Sequence, residues 1–116
     1  MNSYKDLDVW QKSIDIVLRV YELSKKLSDD EKFNLTSQMR RSAVSIPSNI
    51  AEGHGRKTNP EFKHFLRISY GSSSELETQL FIAYRLEYIT KMEYDTVSED
   101  LTVIRKMLNK LMASIE

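Results

Sequence analysis

The chain predicts an all-α fold, an up-and-down antiparallel four-helix bundle. Three observations carry that prediction. Four segments place apolar residues at steps of three and four, the period of a helix with one buried face. Only three Gly and two Pro occur in 116 residues, too few for a turn-rich sandwich or barrel. Connections of about six residues or fewer join the segments, which sets sequential helices antiparallel. The length suits one domain spanning residues 1–116 with a single core.

The last segment is the cleanest. Val97, Leu101, Ile104, Leu108, Leu111 and Ile115 form a regular seam, and Thr90 with Glu93 makes a capping box at its start. The first segment takes Leu7, Trp10, Ile14, Val17 and Tyr21 as its buried face and ends near Lys25 to Leu27, with Ser28 to Lys32 as the turn. The second runs through Leu35, Met39, Ala43, Ile46 and Ile50 and is expected to stop at Gly53 in a left-handed conformation. Pro47 lies inside it. An interior proline costs about 3 kcal/mol, so the expectation is one helix kinked there, because the apolar spacing continues in phase across it. The third opens with Asn59 as cap and Pro60 at the first helical position, then runs to about Leu86. Ser69 and Ser73 occupy its central core positions, so another interaction must hold that layer.

A second stripe on the second helix is polar: Gln38, Arg41, Ser45, Asn49 and Glu52. Antiparallel counting about the 54–59 loop sets residue i opposite residue 113 − i on the third helix. That places Gln38 and Arg41 against Glu75 and Ser72. The expectation is a buried polar layer with an Arg41–Glu75 pair, which specifies register more than it stabilises. The alternative is a solvated face on both helices. On the fourth helix Val103, Met107 and Met112 widen the apolar arc beyond the roughly 100° one core needs, pointing either to a homo-oligomer interface or to a generously packed small core.

The formal charge is zero, with 17 basic and 17 acidic residues, so no global field draws in nucleic acid or lipid. Residues 35–70 nevertheless hold six basic groups against two acidic ones. Arg56, Lys57, Lys63 and Arg67, extended by Arg40, form a candidate nucleic-acid-binding ridge beside a helix N-terminus; an ordinary solvated face is the competing account. The absence of cysteine excludes a disulfide framework and thiolate metal sites. The N-terminus MNSYKDLDVW lacks a signal peptide's apolar stretch and no run reaches membrane-span length, so a cytoplasmic protein is expected. Enzymatic motifs are weak. Glu61-x-x-His64 stands alone where a di-iron bundle needs two such motifs, and Gly53-His54-Gly55 lacks a phosphate loop's Gly-Lys-Ser/Thr ending. No catalytic residue, cofactor or metal is expected.

Tyr4-Lys5-Asp6-Leu7, Val9-Trp10-Gln11-Lys12, the block from Gln38-Met39-Arg40-Arg41 to Ser45-Ile46-Pro47-Ser48-Asn49-Ile50-Ala51-Glu52-Gly53, and Gly71-Ser72 with Glu75-Leu76-Glu77-Thr78-Gln79-Leu80 closely resemble the bacterial 23S rRNA intervening-sequence family. The resemblance spans nearly the whole chain. It implies a four-helix bundle that assembles into a ring-like homopentamer, with no catalytic residues. The chain is also similar to the accessory protein of diversity-generating retroelements, which implies contact with nucleic acid (RNA or DNA) and a reverse transcriptase; that relative is strongly basic, whereas this chain has a pI near 6.7. Glu87 stands where the family often has Gly, so the turn before the fourth helix is expected to be strained or differently shaped.

Overall fold

The computed structural model describes residues 3–116. Four α-helices fill most of it: α1 (Asp8–Ser24), α2 (Leu35–His54), α3 (Asn59–Arg85) and α4 (Lys91–Ser114). A short 3-10 turn, Tyr4–Asp6, precedes α1, and another, Asp29–Glu31, sits in the ten-residue α1–α2 connection, which is longer than the expected turn. Each helix packs on its two ring neighbours, so α1–α2 lies across the bundle from α3–α4. No helix is long and apolar enough to cross a membrane among the described residues.

The core is built from Met39, Ala43, Ile46 and Ile50 of α2, Leu66, Leu76, Leu80 and Ala83 of α3, and Val97, Leu101, Ile104 and Leu108 of α4, all fully buried. α1 corrects the sequence reading. Its buried face is Val9, Ser13, Ile16, Val20 and Leu23, while Trp10, Ile14 and Val17 are half-buried and Tyr21 is exposed. The helix carries two apolar stripes about 100° apart, and the core takes the one with smaller side chains.

α2 runs unbroken through Pro47, which is itself buried. Carbonyls beside the proline gain side-chain donors: Asn49 Nδ2 reaches the Ser45 oxygen at 2.8 Å, and Ser69 Oγ of α3 reaches the Ile46 oxygen at 3.0 Å. Ser69 and Ser73 are fully buried, and Ser73 Oγ donates to the Tyr70 carbonyl at 2.7 Å. The small central residues of α3 are therefore held by hydrogen bonds, one of them between helices.

Gly53 does not end α2. No glycine has a positive φ, and α2 continues to His54. The reason for glycine here is space: a Cβ at position 53 would stand 2.8 Å from Phe65 Cβ, 3.0 Å from Phe62 Cδ1 and 3.1 Å from the Phe62 carbonyl oxygen. The α2–α3 hairpin closes on that contact. α3 is capped one residue earlier than expected, by Thr58, whose Oγ accepts from Glu61 N at 3.3 Å. α4 has the expected capping box, with Glu93 N donating to Thr90 Oγ at 3.1 Å and Thr90 N to Glu93 Oε1 at 2.9 Å.

Candidate functional site

The polar face of α2 meets α3 through only part of its width. Ser45 Oγ and Ser72 Oγ are 2.8 Å apart, Asn49 Nδ2 donates to Ser45 Oγ at 2.9 Å, and Ser42 Oγ donates to Glu75 Oε1 at 2.9 Å. Ser45, Asn49 and Ser72 are half-buried, whereas Gln38, Arg41, Glu52 and Glu75 are exposed. This corrects the expected buried layer: Arg41 and Glu75 do not pair, and Glu52 instead binds Arg56 at 3.2 Å. The contacting residue numbers sum to 117, one helical turn from the 113 of simple counting. Helical side chains lean toward their own N-terminus, so in an antiparallel pair the facing residues each lie about one position further along, which supplies about half the shift. Arg41 and Glu52 fall at the outer edge of the stripe, beyond the arc that α3 covers.

The bundle's better-buried ion pair lies between α3 and α4. Arg105 donates to Glu77 Oε1 at 2.5 Å, with side chains only 17% and 25% exposed, and Ser98 Oγ donates to Glu77 Oε2 at 2.9 Å. The sequence reading missed this node. The antiparallel counting used for α2–α3, applied to the loop at 86–90, sets Glu77 opposite residue 99, beside Ser98, but leaves Arg105 six residues further along. Phe81, Tyr84 and Tyr94 cluster beside it, and Phe81 and Tyr94 border an open groove of about 430 Å³ together with Glu77 and Arg105.

The candidate nucleic-acid residues divide between the two ends of the bundle. Arg56, Lys57, Lys63 and Arg67 lie at the α2–α3 loop end, where Lys57 and Arg67 are exposed and Lys63 half-buried. Arg56 is also exposed but partly neutralised, 3.2 Å from Glu52 and 4.0 Å from Glu61, with its guanidinium 4.8 Å from the Phe65 ring centre. Arg40 is not an extension of this ridge. It sits fourteen residues before the end of α2, about 20 Å along the axis, and bonds Ser24 near the end of α1. Among the described residues no three His, Cys, Asp or Glu side chains gather as a metal site.

The expected α4 interface does not form one surface. Met107 borders a groove with Leu7, Val9 and Leu111, Met112 borders another with Arg67 and Tyr70, and both pack against the core from opposite sides. Only Val103, 42% exposed, remains outward. Methionines five residues apart point about 140° from each other on a helix, so widening the arc at both edges gives two flanks.

One outward apolar surface lies on α1 and α2, and exposed apolar residues also stand on α3 at Ile68, Phe81 and Ile82. Trp10, Ile14 and Val17 face Val44, Pro47 and Ala51 across an open groove of about 290 Å³, with Tyr4 at one end. Leu18, Tyr21 and Val44 are exposed beside it. Much of this stripe is the one the sequence assigned to the core.

The model of the 23S rRNA-intervening sequence protein family matches residues 5–110. The chain belongs to this family. Among solved structures it is similar to a protein of unknown function from the S23 ribosomal protein family of Bacteroides thetaiotaomicron, at 32% identity and a TM-score of 0.83, covering 91% of this chain and 99% of that one. No curated protein matches it. The solved relative shares the fold of this chain, and within the Ser-Ile-Pro-Ser-Asn block Asn49 holds Ser45, which meets Ser72 of α3.

Proposed function

We propose that this intervening-sequence family protein is a non-enzymatic scaffold that assembles into a homo-oligomeric ring, pentameric by family resemblance, and contacts RNA or DNA through Lys57, Lys63 and Arg67. The observation that carries this reading is the apolar groove between α1 and α2. A monomer has no use for a Trp, Ile, Val and Tyr stripe turned away from its own core, and exposed apolar surface of this kind is covered by a partner. The aromatic α3–α4 groove lies across the bundle and differs in character. Two unlike faces suit a head-to-tail contact, which closes into a ring when the rotation permits. Ring symmetry repeats the loop-end cations around one rim, which strengthens a patch that is weak on a neutral protomer.

Sedimentation velocity tests the reading. The wild-type protein is expected to sediment as an oligomer, and Val44→Asp, which charges an exposed groove position, as a folded monomer with unchanged helical circular dichroism. Labelled structured RNA added at low salt is expected to co-sediment, with weaker binding after joint replacement of Lys57, Lys63 and Arg67 by Gln and as salt rises. A monomeric wild type overturns the assembly; an RNA left free at low salt removes the nucleic-acid role.

A further inference from the structure

At the opposite end of the bundle from the loop cations, the end of α1, the α1–α2 connection and the first turns of α2 enclose a pocket of about 280 Å³. Its cations are Lys25, Lys32 and Arg40, against one lining carboxylate, Asp29. Ser24, Ser28 and Thr36 add hydroxyls.

Arg40 is the organised member. Its Nε donates to Ser24 Oγ at 2.8 Å and its guanidinium lies 4.7 Å from the Tyr21 ring centre. Ser24 is in turn oriented by donating to the Tyr21 carbonyl at 3.0 Å. These contacts hold the plane of the guanidinium and use only Nε. The two terminal nitrogens make no hydrogen bond or ion pair among the described residues, so the bidentate fork is free. A guanidinium fixed in this way has lost much of its side-chain entropy before a ligand arrives.

Thr36 supplies an independent observation. It lines the pocket, is only 9% exposed, and its hydroxyl makes no hydrogen bond among the described residues. The hydroxyl itself reaches solvent through the pocket, so it is available to donate to a ligand that enters. Lys25 is engaged only by Glu22, through a solvent-exposed pair at 3.1 Å that contributes little and is easily exchanged.

We infer that this pocket is an oxyanion site for a phosphoryl group, either inorganic phosphate or the terminal phosphate of a small nucleotide. The Arg40 fork takes two phosphate oxygens, Lys25 and Lys32 neutralise the charge, and the Thr36 hydroxyl donates to a third oxygen. A planar fork between flanking ammonium groups matches phosphate geometry better than that of a monovalent anion. The site is separate from the loop-end cations and meets the edge of the assembly groove at Tyr21.

Amide chemical-shift titration of the full chain, first with inorganic phosphate and then with adenosine 5′-monophosphate, tests the inference. Shifts are expected at Ser24, Lys25, Ser28, Lys32, Thr36 and Arg40, with a Kd on the order of 1 mM or tighter. Arg40→Gln is expected to weaken binding about tenfold, as loss of a charge-assisted pair implies, and Thr36→Val by a smaller factor. Lys106→Gln, on the exposed face of α4, is expected to leave it unchanged. Tighter binding of the nucleotide identifies a phosphate ester as the ligand, and equal or weaker binding identifies free phosphate. Absence of saturable shifts, shifts centred elsewhere, or full binding by Arg40→Gln overturns the site.

Discussion

Gly53 and Glu87 show the two separate reasons a chain has for glycine, one satisfied and one not. At Gly53 the backbone is ordinary helix and the constraint is room, with Phe65 Cβ and the Phe62 carbonyl oxygen standing where a methyl would go. Neither atom can swing away without moving α3. Gly53→Ala is therefore expected to lower stability by about 1–2 kcal/mol, because overpacking outweighs the roughly 1 kcal/mol gained in helix propensity. Denaturant unfolding checks this, and an unchanged midpoint would mean that α2 and α3 separate freely. At Glu87 the constraint is conformation. Its φ is 68°, the only positive value outside glycine among the described residues. Glu87 N donates to the Tyr84 oxygen and Tyr88 N to the Ala83 oxygen, both at 2.9 Å, which is the Schellman pattern with Glu in the left-handed position. Left-handed backbone costs a non-glycine residue about 1–2 kcal/mol, and glycine returns part of that through unfolded-state entropy. Glu87→Gly should raise stability by up to about 1 kcal/mol, measured in the same assay. The strain there was legible beforehand, because a residue other than Gly at a helix exit has to adopt the same φ. The role of Gly53 was not, since local sequence says nothing about which aromatic side chains approach.

At the scale of the helix, the start of α4 reads well from sequence, while the end of α2, the cap of α3 and the inward face of α1 do not. The Thr90–Glu93 box is a local pattern and forms as expected. It also does more than cap, because Lys26 at the end of α1 reaches Glu93 and ties the two helix ends together. The Lys26 ammonium, then the Thr90 backbone N–H, hold the Glu93 carboxyl below its ordinary value. A carboxyl lowered in the folded state contributes stability above its unfolded pKa, and that contribution is lost as pH falls through the folded value. Glu93→Gln should therefore be less stable than wild type near neutral pH, with the difference shrinking in acid below about pH 4. Thermal unfolding across pH checks it; a constant difference would show that the charge is irrelevant. Face assignment failed on α1 for a physical reason. Trp10, Ile14, Val17 and Tyr21 have the same period as Val9, Ile16, Val20 and Leu23, and periodicity ranks stripes by hydrophobicity without knowing which one the neighbouring helices can accommodate. Ser13 in the middle of the true face hides it, because a hydroxyl that bonds the Trp10 carbonyl at 2.7 Å packs as a small apolar residue.

At the scale of the molecule, three surfaces were anticipated and each moved when the helices were placed. The polar layer shrank to Ser45, Asn49 and Ser72, with Glu75 tied to Ser42 at its margin, while a half-buried ion pair formed between Glu77 and Arg105. Part of the apolar surplus sits on α1–α2, where the assembly test applies, and part on α3. The basic ridge lost Arg40 to the far end, and that displacement created the pocket proposed for phosphate. Number, order and direction of the helices, the capping box of α4 and most of the core of α2, α3 and α4 follow from sequence alone, because hydrogen bonding along a helix and burial of one face are encoded within a few residues of each position. Which stripe of α1 turns inward, how far α2 slides against α3, and which charges meet were decided only by tertiary packing. Those outcomes depend on side-chain lean, on the gap left by Gly53 and on the shape of facing helices, and no stretch of sequence contains both partners of such a contact.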